Sequence, residues 1–478
     1  MNVLLSLLHS SPEYESLRAM LDAGQTAAVS GVSQIARAHW IAALREDTSR
    51  PVVAVCQDEM AASRLAAELT AFLGQPPVTL PSRELTFLDA AGVSREWEQR
   101  RLRILYDLSA GRIPVLVTTL EALQLRTIPK STLYAASIRL TAGGSYDLDK
   151  LTEQLTAAGY TRASLVEGAG QFALRGGILD VFSPAHDQPV RAEFFGDELD
   201  AMGFFDPLTQ RRTENLDEAV LLPVAETVPF LHPDGAEGLC KDLSTLVARQ
   251  KRRKTPNTAL ISTLEGDIDK LQGGVPLTAA DRYMALIYPE FSTAADYVSR
   301  DAAVFFCDHG NLRRASKARM EDFGLSLDSY LQSGTLAGEL CEFYCTYDEL
   351  AGRFRENGAI YFDSFLSAQF PEELPPKRIL SVTAKQLPGY GGSLETAVQD
   401  LKHYVKNGFG CLVLCGGKRR GEILKGMLAE QSVDALLAFP ATRLPQAGQI
   451  LLADGSLPAG MEYPELKYAI LTEGQLMT

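Results

Sequence analysis

Pro51-Val-Val-Ala-Val-Cys56 is a short apolar run rich in β-branched residues, and Glu59 to Phe72 follows it with helical spacing. The same unit stands on either side. Ala27 to Ser30 reads as a strand and Ser33 to Glu46 as a helix. Leu80-Pro-Ser-Arg-Glu84 begins a loop, Arg95 to Ser109 reads as a long helix of alternating charge, and Pro114-Val-Leu-Val-Thr-Thr119 as a further strand. Apolar strands alternating with helices predict an α/β fold, a parallel sheet with helices on its faces. This is a nucleotide-fold pattern.

The nucleotide motif itself is degenerate. A P-loop reads G-x-x-x-x-G-K-S/T, because its glycines let backbone N–H groups close around phosphate, its lysine reaches the terminal phosphates and its hydroxyl holds magnesium. The strand-to-helix position here reads Gly31-Val-Ser-Gln-Ile-Ala-Arg-Ala38. Gly31 is kept, but Ala36 replaces the second glycine, Arg37 the lysine and Ala38 the magnesium ligand. The strand Ala302-Ala-Val-Phe-Phe-Cys307 ends in Asp308-His309, where a helicase-like ATPase has Asp-Glu. Asp308 suits magnesium; His309 lacks the charge of a carboxylate base. ATP hydrolysis is not expected.

The chain has 478 residues, 46% apolar and 22% charged, so it holds about two to four domains. A formal net charge of −14 argues against wrapping DNA by bulk electrostatics. Arg249-Gln-Lys-Arg-Arg-Lys254 is the strongest basic run, read as a solvated helix face, with a DNA-binding module as the alternative. The seven cysteines form no disulfide framework by count, and Cys341/Cys345 and Cys411/Cys415 are spaced one residue too widely for a zinc knuckle. No metal site is expected. No apolar run reaches the roughly 20 residues of a membrane span, and the start lacks a signal peptide, so a cytoplasmic location is expected.

From Ile138 to about Val220 the character changes to a helix at Asp147 to Ala158 and then to β-rich sequence. Gly170-Gln-Phe-Ala-Leu-Arg-Gly-Gly-Ile-Leu-Asp-Val-Phe-Ser-Pro184 is followed by Pro189-Val-Arg-Ala-Glu-Phe-Phe-Gly-Asp-Glu-Leu-Asp200 and Phe205-Asp-Pro-Leu-Thr-Gln-Arg-Arg212. The link Ala185 to Gln188 predicts a β-hairpin with Arg175 on one strand and Arg191 with Phe195 on the other. Period two puts Arg191 and Phe195 on one face, while the register leaves the face of Arg175 open. Cations beside an aromatic ring make a contact surface.

This block resembles the signature shared by UvrB and the bacterial transcription-repair coupling factors, Mfd, with wording closer to the latter. The resemblance implies a degenerate RecA/helicase-like domain carrying an inserted β-rich UvrB-type domain, and a UvrA-binding role for Arg175, Arg191 and Phe195. It also implies that ATP, magnesium, RNA polymerase and DNA are handled by motor and polymerase-binding domains beyond a fragment such as this, which itself needs no cofactor. Unlike UvrB, the interval Phe87 to Glu98 leaves no room for an aromatic hairpin, and Trp97 reads as a packing residue.

The expected boundaries are 1–136 for the first part of the helicase-like domain, 137–220 for the insertion and 221–365 for the return. A separate small α/β domain is expected over 366–478. In that last part Leu394 to Val405 and Glu422 to Gln431 read as helices, and Cys411 to Cys415, Ala435 to Ala438, Gln449 to Leu452 and Tyr468 to Leu471 as strands. Gly389-Tyr-Gly-Gly392 reads as linker, and Gly416-Gly-Lys-Arg-Arg-Gly421 as a basic strand-to-helix turn able to hold an anion. The functional expectation is a non-catalytic adaptor that recruits UvrA. The alternatives are a weak nucleotide-binding enzyme or sensor, and a DNA-binding module.

Overall fold

A computed structural model describes residues 2–89, 96–367, 369–391 and 393–477. Four strands come first: β1 (Ala27–Val32), β2 (Val52–Cys56), β3 (Val78–Leu80) and β4 (Val115–Thr119). Every residue of β2 and β4 is buried, as a parallel strand covered on both faces requires. The Glu59–Leu73 helix starts where the Asp58 side chain accepts from Ala61 N–H at 2.8 Å, and it stops at Gly74 in the left-handed region.

The chain then leaves this sheet. β5 (Ile138–Thr141), the Leu148–Ala157 helix, β6 (Thr161–Arg162), β7 (Gln171–Arg175), β8 (Ile178–Val181), β9 (Val190–Phe195), β10 (Glu198–Phe205), β11 (Arg212–Asn215) and β12 (Glu218–Leu221) follow in order. β6 to β11 form a six-stranded sheet in the order β11-β10-β9-β8-β7-β6. β12 returns antiparallel beside β5, Leu221 opposite Ile138, so the entrance and exit of this segment lie together. Leu151, Leu155, Phe172, Leu179, Val190 and Met202 build its core.

The single hairpin expected around Ala185 to Gln188 is corrected. That link does join the antiparallel strands β8 and β9, but Arg175 lies on β7, one strand farther away. The physical reason is the Gly176-Gly177 pair. Gly176 adopts φ +61°, as the first position of a two-residue type II′ turn demands, and the chain reverses inside what reads as one apolar run.

β13 (Ala303–Cys307) and β14 (Ala359–Asp363) rejoin the first sheet, β13 beside β2 and β14 beside β1. β15 (Arg378–Leu387), β16 (Gly410–Cys415), β17 (Leu436–Ala438), β18 (Ile450–Asp454), β19 (Gly460–Tyr463) and β20 (Tyr468–Thr472) extend it. The full order is β17-β18-β16-β20-β19-β15-β1-β14-β13-β2-β4-β3, with every neighbouring pair from β15 to β3 parallel. The separation expected near 366 is bridged by β15. Its first part pairs with β1, Ala27 opposite Arg378, and its last part pairs antiparallel with β19, Leu387 opposite Gly460. The two regions share one continuous sheet.

Trp97 is not a packing residue: it is 61% exposed, with Arg100 stacked over its ring at 5.9 Å. Of the interval Phe87 to Glu98, residues 90–95, including the expected helix start at Arg95, lie outside the described residues. Among the described residues no helix is long and apolar enough to cross a membrane.

Candidate protein-interaction surface

The Gly176-Gly177 turn sets the register that the sequence leaves open. Arg175 stands opposite Ile178, Ile178 opposite Glu193, and Asp180 between Ala173 and Arg191. Directly opposed residues share a face, so Arg175, Ile178, Asp180, Arg191, Glu193 and Phe195 all lie on the side away from the core. The intervening residues Phe172, Leu179, Val181, Val190 and Ala192 face inward. Gly177 has no alternative, since a Cβ there would come within 2.5 Å of the Phe194 carbonyl oxygen.

Asp180 organises this face and was not singled out in the sequence. Its carboxylate is fully buried and takes a fork from Arg191, Nε to Oδ1 at 2.7 Å and Nη2 to Oδ2 at 2.8 Å. Arg175 Nη2 donates to Oδ2 at 2.7 Å. Arg191 also donates to the Gln210 carbonyl and side-chain oxygens at 3.1 and 2.9 Å, and its guanidinium lies 4.3 Å from the Phe205 ring centroid. The Asp180 hydrogen bonds raise the Arg191 pKa above its ordinary value, with burial opposing them. The signal that could have marked Asp180 is a carboxylate set between Leu179 and Val181, in a strand otherwise built for a core.

Phe195 is 85% exposed, whereas its neighbour Phe194 packs against the core and meets Tyr146 edge-on at 6.2 Å. The ring is exposed because the glycine turn lies alongside it: Phe194 N–H donates to the Gly177 carbonyl, and a Cβ on Gly176 would meet nothing within 4 Å. The face thus offers a bare aromatic ring, a half-exposed arginine and a largely buried one.

The residues from Gly31 to Ala38 take part in packing. Gly31 belongs to β1 at φ +82°, and a Cβ there would fall 1.8 Å from the Val382 carbonyl oxygen, so the close approach of β15 requires this glycine. Ala36 and Ala38 are completely buried in the Gln34–Thr48 helix. Arg37 turns back over the strand ends, donating to Ser364 Oγ at 2.7 Å and to the Val32 carbonyl at 3.4 Å, and sits 3.8 Å from Asp308 Oδ2. A cavity of about 170 Å³ beside it is lined by Gln34, Arg37, Cys56, Arg64, Cys307 and Asp308 among others. Ligand pockets usually begin at about 300 Å³. Asp308 occupies the left-handed region at φ 64° and accepts from Asn311 Nδ2 at 2.6 Å. His309 is fully buried against Tyr347, Gln369 and Phe370, and burial lowers its pKa.

The other sequence candidates are answered locally. In the Arg249 to Lys254 run, Arg249 and Arg253 pair with Glu339 at 3.4 and 3.9 Å, and Lys251 pairs with Glu265 at 2.7 Å. The anion position at Gly416 is filled by the chain's own Glu473, whose Oε2 accepts from Gly416 N–H at 3.0 Å and lies 3.8 Å from Arg420. All seven cysteines are free thiols, and among the described residues no three His, Cys, Asp or Glu side chains are grouped to hold a metal. Gly392, the end of the glycine-rich linker, lies outside the described residues.

The UvrB interaction domain family matches residues 138–226, a segment that opens with β5 and ends shortly after β12. The transcription-repair-coupling factor of Bacillus subtilis is 24% identical over 481 residues, covering 100% of this chain and 40% of that protein. The Myxococcus xanthus protein of the same name is 29% identical over 433 residues, covering 86% and 35%, and that of Staphylococcus haemolyticus 24% over 455 residues, covering 95% and 38%. The chain therefore spans between 35% and 40% of the length of these relatives. Along its own length it matches the bacterial transcription-repair-coupling factors, Mfd, and it carries a UvrB interaction domain.

Proposed function

We propose that this chain is a non-catalytic, UvrB-like adaptor of transcription-coupled DNA repair, which recruits UvrA through the outer face of the β6 to β11 sheet. In this reading 1–136 and 221–365 form a helicase-type domain that has lost ATP hydrolysis, 137–220 is its UvrA-binding insertion, and 366–478 is a further α/β region. The whole belongs to a longer ATP-driven DNA translocase whose contacts with RNA polymerase and DNA lie elsewhere. The observation that carries the reading is Phe195, an 85% exposed ring on the same face as Arg175 and Arg191, inside the segment that matches the UvrB interaction domain. An exposed aromatic flanked by arginine is the usual composition of an interface hot spot. Arg37 folded into its own pocket supports the absence of catalysis.

The test is a calorimetric titration of the chain against UvrA, with and without ATP. Saturable association that is lost in a folded Phe195→Ala variant supports the proposal. Wild-type association left unchanged by substitutions at Arg175, Arg191 and Phe195 refutes the surface, and no wild-type association refutes the adaptor.

A further inference from the structure

The two arginines of the outer face are in unequal positions. The Arg191 side chain is 16% exposed and that of Arg175 47% exposed. The polar partners around Arg191 belong to this chain: Asp180 takes Nε and Nη2, and Gln210 takes Nη1 and Nη2. Phe205 covers its flat side. Among the described residues, Arg175 makes one hydrogen bond, from Nη2 to Asp180, which leaves Nε and Nη1 open. Two guanidinium groups share one carboxylate, so the cluster carries a single net positive charge, and its exposed part is Arg175. A buried carboxylate and its forked arginine behave as one unit, because removing either strands the other.

We infer that Asp180 is the positioning residue of this surface. It fixes Arg191 as an internal strut and leaves Arg175 as the cation offered to a carboxylate of the partner. The inference rests on the reading of this face as the UvrA contact, and it assigns the two arginines different tasks. A strut acts through geometry, so lysine cannot replace it: an ammonium has no fork for Asp180 and Gln210. A presented cation acts through charge, so its loss weakens the dependence of association on salt.

The experiment measures UvrA association by calorimetry at several salt concentrations, with a melting temperature for each variant. The variants are Arg175→Gln, Arg191→Gln, Arg191→Lys, Asp180→Asn and the double variant Asp180→Asn/Arg191→Gln. Arg175→Gln should weaken association about tenfold and flatten its salt dependence. Arg191→Lys and Arg191→Gln should both weaken it; lysine keeps the charge of the cluster and with it the wild-type salt dependence, whereas glutamine leaves the cluster neutral. The double variant should fall within about twofold of the weaker single variant. The inference is overturned by any of three results: losses that multiply in the double variant, a flattened salt dependence in Arg191→Lys, or affinity kept by Arg191→Lys and lost by Arg191→Gln. If Asp180→Asn does not fold, the Gln and Lys variants at 191 decide the matter through their affinities and salt dependences. Wild-type binding with multiplying losses defeats this inference alone, whereas absence of wild-type binding defeats the UvrA reading and this inference together.

Discussion

Phe195→Ala separates folding from recognition more cleanly than any other substitution in this surface. The ring is 85% exposed, so truncation removes almost no internal packing, and the change in fold stability should stay within about 0.5 kcal/mol. Buried in a partner pocket, the same ring would contribute about 1.5–3 kcal/mol. At about 1.4 kcal/mol per decade, the variant should bind UvrA about 10- to 150-fold more weakly. Calorimetry supplies the affinity, and circular dichroism with thermal melting supplies the control. Two results refute the reasoning. A melting temperature lowered by more than about 2 °C would mean that the ring supports the fold. Unchanged affinity would mean that the ring is not covered. Phe194→Ala should show the reverse pattern, since that ring packs on the core.

Glu226 is fully buried and receives Arg101 Nε at 2.6 Å, with Arg83 at 3.6 Å, so Glu226→Gln should cost about 3–5 kcal/mol in urea unfolding. Burial alone would raise the pKa of its carboxyl, but Arg101 and Arg83 outweigh it and hold the pKa below the ordinary value. The stability from this depressed pKa is therefore present above the unfolded value of about 4.3 and lost as pH falls through the lower folded value, and Glu226→Gln should remove that acid dependence. Gly31→Ala should destabilise by more than about 2 kcal/mol, because the added methyl meets the Val382 carbonyl and φ is +82°; a normal melting temperature would contradict the packing role. ATP turnover should be absent, with binding no tighter than about millimolar. Magnesium-dependent hydrolysis that survives purification and disappears in Arg37→Ala would defeat this expectation.

Several of the strands legible in the sequence have a uniform environment. β2, β4 and β13 are buried at every residue, so a plain apolar run announces them. β15 is different: Leu380, Val382 and Ala384 are buried between more exposed neighbours, but the alternation breaks at Gln386, and Arg378 and Lys385 lie within the strand. The period is lost where the strand passes from its pairing with β1 to its pairing with β19. Strand order was also beyond local reading, since β13 and β14 insert between β1 and β2 from some 250 to 330 residues farther along the chain. Gly31 shows the same limit. In sequence it reads as the first glycine of a degenerate phosphate loop; in space its lack of a side chain is required by Val382, about 350 residues away.

The insertion also has a mechanical place in the fold. β5 and β12 close its base as an antiparallel pair, and the chain leaving β12 runs directly to Glu226. There the carboxylate meets Arg101 of the Glu96–Ser109 helix, Arg83 of the segment after β3 and the Thr127 hydroxyl. Arg83 in turn reaches Asp281, whose second oxygen accepts from Thr86 N–H. A buried ionic cluster of this kind adds little net stability compared with an apolar core, but it admits few arrangements and is costly to break. Its effect is to fix the exit of the insertion against the parallel sheet. A partner held by Arg175 and Phe195 would then be carried at a set orientation to that sheet, as an adaptor needs and a flexibly tethered domain could not provide.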